Sequence, residues 1–188
     1  MMNTRTKFAQ TTLGERKTSE YGTPLSFFHT LNAIFKFKMD PCALESDPSR
    51  LGLDYNITKN DHGLQWNWDR NAFINPPFGT KKGEKVGDWI RKMQHESNKY
   101  PDNVYVMLLP TRLESNWFQD LIWEDKISDV YIVRGRLKFY NPETNKNDDP
   151  HPIGSMLVIR SWLDYKDMAT QYSLLEKNIP GIWVLRDE

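Results

Sequence analysis

The chain has 188 residues, enough for one domain with a buried hydrophobic core and too few for two domains of ordinary size. Aromatic residues make up 13% and charged residues 27% of it, which is typical of a folded globular protein and excludes a disordered or fibrous one. The 25 basic and 25 acidic side chains balance, which argues against a protein that coats nucleic acid with a uniformly basic surface. A local basic face is still compatible with this balance, because phosphate contacts need only a few well-placed cations.

The only cysteine, Cys42, excludes an internal disulfide and leaves too few thiolates for a structural zinc site of the usual kind. The four histidines have no metal-ligand spacing, so we expect no metal. The chain has no apolar run of about eighteen residues and no apolar core of a secretory signal near its start. We therefore expect an intracellular, cytoplasmic protein with no membrane contact.

Residues 1–18 have no sustained periodicity and are predicted to form a flexible arm before a single domain at 19–188. The segment TPLSFFHTLNAIFKF places apolar residues at helical spacing, with Thr23 as candidate cap and Pro24 at the first helical position. FKFKMD then alternates apolar and basic residues as a strand does, and the predicted strand ends at Asp40-Pro41-Cys42-Ala43.

Polar, turn-rich sequence follows as far as Trp66. NAFIN predicts a short strand that stops at Pro76-Pro77, because proline cannot donate to a central ladder. The later elements are predicted as a helix at GDWIRKMQHESNKY, a strand at NVYVMLLP, a helix at SNWFQDLIWED, a strand in ISDVYIVR with a turn at Gly135 and a further extended piece, a polar loop from Asn141 to Pro152, and a strand at GSMLVIRSW.

Strands that alternate with helices of about ten residues predict an α/β fold with helices on both faces of a central sheet. In such sheets, ligands bind outside the carboxyl ends of the strands. Three predicted strands end in sequences to examine, which are Asp-Pro-Cys-Ala, Asn-Pro-Pro-Phe and Pro-Thr-Arg.

The pentapeptide Asn75-Pro76-Pro77-Phe78-Gly79 resembles the (Asn/Asp/Ser)-Pro-Pro-(Tyr/Phe) signature of amino-methyltransferases. An adenine amine is a weak nucleophile because its lone pair is delocalised into the ring. The Asn75 side-chain oxygen and the Pro76 carbonyl can accept its two hydrogens and stabilise the positive charge that develops on the nitrogen. One such preorganised contact stabilises the transition state by about 3 kcal/mol. Taken alone, the pentapeptide is equally compatible with an ordinary turn.

Phe78 offers a flat apolar face on which a base outside the duplex can stack, a contact worth roughly 1–3 kcal/mol. The fixed φ of Pro76 and Pro77 holds the carbonyl direction without adding a competing donor.

Six segments, taken in order, resemble the phage-type DNA N6-adenine methyltransferase family: YGTP, FKMDPCA, DHGLQW, INPPFG, VMLLPTR with NWF, and GRLKF. The resemblance implies a Rossmann-like class I methyltransferase fold with a mostly parallel sheet. It implies methyl transfer from S-adenosyl-L-methionine to the N6 amine of a flipped adenine in DNA. It also implies a phage or mobile-element origin, the cytoplasm of the host cell, and a role in evading restriction.

The resemblance also implies roles for single residues. Thr23-Pro24 closes over the cofactor, and Asp40-Pro41-Cys42-Ala43 forms the first cofactor-binding turn, in which Asp40 receives the ammonium of the methionine end. Asp61 contacts the adenine or ribose of the cofactor. These residues also have plainer interpretations: Pro24 starts a helix, Asp40 caps a turn, Cys42 is an ordinary buried residue, and Asp61 forms a turn before Gly63. The implied sites are Asn75, Pro76, Pro77 and Phe78 for catalysis; Thr23, Pro24, Asp40, Pro41, Cys42, Ala43 and Asp61 for the cofactor; and Arg112, Arg136 and Lys138 for DNA.

Other functions are compatible with parts of this pattern. An amide nitrogen needs the same two acceptors as an amine, so protein glutamine methylation is an alternative, as is methylation of adenine in RNA. Pro41-Cys42 resembles the nucleophile dipeptide of cytosine C5 methyltransferases, but it follows a different strand. The missing Gly-x-Gly turn would suit a non-enzymatic DNA-binding module. We expect a monomer or weak dimer without a separate recognition domain.

Overall fold

A computed structural model describes residues 21–77, 84–148 and 150–185, so the predicted arm at 1–18 lies outside the described residues. The strands are β1 Met39–Ala43, β2 Tyr55–Thr58, β3 Ala72–Ile74, β4 Tyr105–Pro110, β5 Ser128–Val133, β6 Tyr140–Asn141, β7 Lys146–Asn147, β8 Ser155–Arg160 and β9 Gly181–Trp183. The helices are α1 Leu25–Phe35, α2 Val86–Lys99, α3 Asn116–Phe118, which continues as a π-helical turn at Gln119–Trp123, and α4 Tyr165–Asn178.

Seven of these strands form one sheet in the order β2-β1-β3-β4-β8-β5-β9, and β6 and β7 form a separate two-stranded ribbon. The pairs β1·β2, β1·β3 and β3·β4 are parallel, whereas β8 is antiparallel to both β4 and β5, and β9 is antiparallel to β5. Strands β1 to β5 therefore all run in one direction, and the carboxyl ends of β1, β2, β3 and β4 meet at one edge. The predicted α/β fold with a mostly parallel sheet is confirmed.

The sheet is buried on both faces, which explains the continuous apolar sequence of its central strands. In β4, Val106 and Leu108 contact the cluster that includes residues of α1 and α4. Tyr105, Met107 and Leu109 of the same strand contact the opposite cluster, to which α2 and the π-helical turn contribute. The helices thus lie on both faces, as predicted.

The predicted start of α1 is wrong by one residue. Pro24 is the N-cap, with φ −58° and ψ 129°, and its carbonyl accepts a hydrogen bond from Phe28 N at 3.0 Å. The helix therefore begins at Leu25, and Thr23 lies outside it as a buried residue instead of a cap. The helical region is disfavoured for a residue that precedes a proline, which is consistent with Thr23 lying outside the helix.

The predicted turn at Asp40-Pro41-Cys42-Ala43 is also wrong, because these residues belong to β1. Lys36 ends α1 in the left-handed region, at φ 54°, and the ladder with β2 runs from Met39↔Tyr55 to Ala43↔Thr58. A register irregularity between Asp40 and Ala43 accommodates Pro41, as expected for a proline within a sheet.

Several other boundaries also differ from the predictions. β2 lies in the stretch predicted to contain only turns, because a four-residue strand with the sequence YNIT has no apolar run to mark it. The helix predicted for SNWFQDLIWED is shorter and half π-helical. The turn at Gly135 is confirmed by its φ of 85°, and the extended piece after it is the short ribbon strand β6. None of the described helices is long and apolar enough to cross a membrane.

Replacing Gly63 with alanine is expected to destabilise the protein by about 1–3 kcal/mol. A Cβ there would lie 2.1 Å from the Pro41 carbonyl oxygen and 3.0 Å from Trp89 Cη2, and the first of these atoms belongs to the backbone of β1. Equilibrium unfolding in urea measures the loss. Gly87→Ala is the control, because its Cβ would meet the flexible Arg91 side chain at 3.3 Å and alanine favours the helix. Equal stability of the two variants would contradict the expected clash with the β1 backbone.

Candidate active site

A cavity that opens to solvent lies at the carboxyl edge of the sheet, beside the ends of β1 and β3. Four of the predicted site residues line it, and they come from three separate segments of the chain. These four are Thr23, Asp40, Cys42 and Asn75. Its other walls are supplied by Tyr21, Gly22 and the loop after β1.

Asp40 is 5% exposed, and its Oδ1 accepts a hydrogen bond from Cys42 N at 2.9 Å. Burial raises the pKa of the Asp40 carboxyl to about 7, and the hydrogen bond from Cys42 opposes that rise only in part. Within the described residues, Asp40 forms no ion pair with a lysine or arginine. A buried acid that lacks a counter-charge is suited to a cationic ligand.

Cys42 lies next to Asp40 in the same strand, and its sulfur accepts a hydrogen bond from the backbone N–H of Asn75. Burial raises the pKa of the Cys42 thiol well above its usual range, and the charges of Asp40 and Glu84 add to the rise. The thiolate is the nucleophilic form of cysteine. A thiol that stays protonated does not favour the cytosine C5 alternative.

Asn75 follows β3 directly, where the Asn-Pro-Pro sequence ends the strand. Its Nδ2 donates a hydrogen bond to the Tyr21 carbonyl oxygen at 3.1 Å. Pro76 is buried and Pro77 is half-buried behind it, and neither lines the cavity. Phe78 and Gly79 lie outside the described residues.

Tyr21, Gly22 and Thr23 form a short strip over the cavity, and sequence reasoning assigned a role only to Thr23. Gly22 and Tyr140 exchange two backbone hydrogen bonds, and Arg50 Nη1 donates to the Thr23 carbonyl oxygen at 2.7 Å. The YGTP segment was a signal for Tyr21 and Gly22. Arg50 had no signal in the sequence, since its partners are distant along the chain.

The other predicted cofactor residues do not line this cavity. Pro41 and Ala43 are buried in β1, and Pro24 caps α1. Asp61 follows β2, where its Oδ2 accepts hydrogen bonds from Thr58 N at 3.1 Å and Thr58 Oγ1 at 2.8 Å. These bonds from Thr58 lower the Asp61 pKa, so the predicted turn role of Asp61 has a direct structural basis.

The three predicted DNA contacts are all exposed and lie outside the cavity. Arg112 follows the end of β4, whereas Arg136 and Lys138 follow the end of β5. All three therefore follow the carboxyl ends of strands that run in the same direction. Among the described residues, no group of three or more His, Cys, Asp or Glu side chains is arranged to hold a metal ion.

A buried acid in one strand and an Asn-Pro-Pro turn after a neighbouring strand, both beside a cavity at the carboxyl edge, are typical of α/β amino-methyltransferases. The sequence model of the DNA N-6-adenine-methyltransferase (Dam) family matches residues 10–179. The chain belongs to this family and is an adenine-specific DNA methyltransferase. Glutamine and RNA as substrates are therefore not favoured.

One relative is a DNA N-6-adenine-methyltransferase of Haemophilus phage HP1 (strain HP1c1), 28% identical over 142 residues, which are 74% of this chain and 76% of the phage protein. Among solved structures, a protein from Legionella pneumophila str. Philadelphia 1 is 15% identical with a TM-score of 0.39, and the match covers 68% of this chain and 47% of that one. This chain thus spans about half of the Legionella protein.

At pH values above 7, replacing Asp40 with asparagine is expected to raise the Tm of the ligand-free protein, because the neutral amide removes the cost of a buried charge. The folded-state pKa of about 7 exceeds the ordinary value of 3.8, so the wild-type protein loses stability as pH rises through this window. The Tm difference between variant and wild type should therefore be small at about pH 4 and grow up to about pH 7.

Thermal unfolding followed by circular dichroism across this pH range measures the difference. Asp102→Asn is the control, because it removes an equally charged but exposed carboxylate. A Tm difference for Asp40→Asn that does not change with pH would contradict the raised pKa of Asp40.

Proposed function

We propose that this enzyme transfers a methyl group from S-adenosyl-L-methionine to the N6 amine of an adenine held outside the DNA duplex. The observation that carries the proposal is the orientation of Asn75. Its Nδ2 donates to the Tyr21 carbonyl oxygen, which leaves its Oδ1 as the acceptor for a substrate amine at the cavity.

Asn75 Oδ1 and the Pro76 carbonyl oxygen would accept the two hydrogens of the N6 amine. That pair of hydrogen bonds localises the nitrogen lone pair and directs it at the methyl group. The same oxygens stabilise the positive charge that develops on nitrogen as the N–C bond forms, before one amine proton is lost to solvent. Because both oxygens are held by the end of β3, little reorganisation accompanies the reaction.

The residues around the cavity fit a sulfonium-bearing amino-acid nucleoside. When bound, S-adenosyl-L-methionine supplies an electrophilic methyl on sulfur, and breaking that S–C bond leaves neutral S-adenosylhomocysteine. Asp40 would hold the ammonium of the methionine end, since a buried carboxylate without a counter-charge gains most from a cation. Thr23 and Pro24 would close over the donor, and the exposed Asp61 would bind its ribose or adenine.

The remaining proposed contacts concern DNA. Phe78 would stack on the flipped adenine, and exposed Arg112, Arg136 and Lys138 would contact phosphates around it. Because the net charge of the chain is zero, these local cations would carry the affinity for phosphates, and binding should weaken as salt concentration rises.

The proposed reaction is tested by incubating the protein with methyl-labelled S-adenosyl-L-methionine and adenine-containing DNA. Adenine-containing RNA and a glutamine peptide serve as comparison substrates. Label in DNA, recovered as N6-methyladenosine after digestion, is the expected result. Label only in RNA or peptide, or no heat of donor binding in calorimetry, would overturn the proposal.

Asn75→Ala is expected to lower kcat by at least about 100-fold, the effect of losing one preorganised contact to the transition state. Donor affinity should stay nearly unchanged, because the proposed partner of Asn75 is the amine and not the methionine. The methyl-transfer assay gives kcat, and calorimetry gives the donor Kd. Equal losses in both quantities would contradict the assigned role, and Asn178→Ala, at an exposed position at the end of α4, is the matched control.

Phe78→Ala is expected to lower kcat/KM for DNA by roughly 10- to 100-fold, because it removes the proposed stacking face. Phe78→Tyr should retain activity, since the aromatic ring is kept. Steady-state kinetics on one DNA duplex compares the two variants. A similar loss in both would indicate that the ring does not serve as a stacking surface.

A further inference from the structure

We propose that Arg50 and Tyr140 are positioning residues, which hold the Tyr21–Thr23 strip and through it orient Asn75 for catalysis. The proposal rests on the role of Asn75 in the proposed function and adds two residues to which that function gives no part. Neither residue is close to Asn75 along the chain, and both act through backbone atoms of the strip.

The first step is the orientation of the Asn75 amide. One end of a primary amide donates hydrogen bonds and the other accepts them, whereas a backbone carbonyl only accepts. The Tyr21 carbonyl oxygen lies 3.1 Å from Asn75 Nδ2 and therefore selects one of the two flipped states of the amide. In the opposite state, Asn75 would present its NH₂ group to a substrate amine, and two donors would face each other.

The second step is that the strip has little secondary structure of its own to fix it. In the part of the chain that the structure describes, its ladder contact is an isolated bridge, in which Gly22 N donates to Tyr140 O at 2.9 Å and Tyr140 N donates to Gly22 O at 2.8 Å. The approach is close, because a Cβ on Gly22 would lie 2.9 Å from Leu44 Cδ1 and 3.1 Å from Tyr140 Cδ1. The backbone of Tyr140 thus holds the middle of the strip.

The third step is Arg50, which joins the strip to the Tyr140 side chain. Its Nη1 donates to the Thr23 carbonyl oxygen at 2.7 Å, and its guanidinium carbon lies 4.1 Å from the centroid of the Tyr140 ring. A planar guanidinium can donate at its edge while it stacks with its face, and lysine lacks that combination. Burial lowers the pKa of Arg50, which is consistent with a guanidinium partly removed from water.

These contacts form one chain from the ribbon strand β6 to the end of β3. Tyr140 and Arg50 hold Gly22 and Thr23, and the adjacent Tyr21 carbonyl orients Asn75. A small displacement of reacting groups costs up to about 100-fold in rate. Loss of Arg50 should therefore slow the methyl-transfer step, although Arg50 acts on the substrate amine only through the strip and Asn75.

The test measures kcat and donor Kd in the full-length protein carrying Arg50→Met, Arg50→Lys, Tyr140→Leu or Tyr140→Phe. Arg50→Met and Tyr140→Leu should lower kcat by about 10- to 100-fold. Donor Kd should rise by a smaller factor, because Arg50 also holds Thr23 of the proposed donor site. Arg50→Lys should recover part of the activity, because it keeps a donor. Tyr140→Phe should be near wild type, because it keeps the ring.

A direct readout is the side-chain NH₂ resonance of Asn75 in ¹⁵N-labelled protein, identified by its loss in Asn75→Ala. It should shift or broaden in Arg50→Met and stay unchanged in the control Lys166→Met, which removes an exposed cation on α4. A role in folding alone would lower Tm without moving this resonance in the folded protein. If Arg50→Met does not fold, Arg50→Lys and Tyr140→Leu carry the same test.

The outcomes separate two kinds of failure. Full turnover in Asn75→Ala would overturn the proposed function itself. An inactive Asn75→Ala together with unchanged kcat and an unchanged amide resonance in Arg50→Met would overturn only the positioning role. A rise in donor Kd in Arg50→Met that exceeds its loss of kcat would also overturn it, because Arg50 would then act mainly through donor binding.

Discussion

The hydrogen bond from Asn75 Nδ2 to the Tyr21 carbonyl oxygen joins two segments that are 54 residues apart and decides which atom of the amide is available at the cavity. Methylation of an aromatic amine depends on hydrogen-bond acceptors, and a hydrogen-bond donor in the same place would oppose the reaction. The strip over the cavity, the Arg50 guanidinium and the backbone of Tyr140 all support this arrangement. The proposed chemistry therefore depends on a contact outside the Asn-Pro-Pro-Phe sequence.

Asp40 shows how a buried carboxylate at this site lowers the stability of the ligand-free protein. Its burial within β1 raises the carboxyl pKa to about 7, so that an ionised Asp40 costs the ligand-free protein stability near neutral pH. A cationic ligand would offset this cost by supplying the missing counter-charge. The neighbouring Cys42 shares the desolvated environment and keeps its proton, which separates its role from that of a nucleophilic cysteine.

The sheet explains why Asp40, Cys42 and Asn75 lie close together. β1 and β3 are adjacent and parallel, so residues at their carboxyl ends lie side by side although they are far apart in sequence. The Asn75 N–H reaches Cys42 across this junction. The strands themselves are covered by apolar clusters on both faces, which makes the edge the place where polar side chains can be exposed to a ligand.

The amino-acid sequence was enough to predict the α/β class, the strands NAFIN and NVYVMLLP, helix α2 and the position of Asn75 at a strand end, because apolar runs and proline act locally. It did not predict β2, α4 or β9, and it placed Asp40–Ala43 in a turn instead of β1. Pairing partners decide whether a short polar segment becomes a strand, and those partners are distant in sequence. Arg50 and Tyr140 reach the site through contacts between distant segments that no local pattern encodes, whereas the YGTP segment already marked Tyr21.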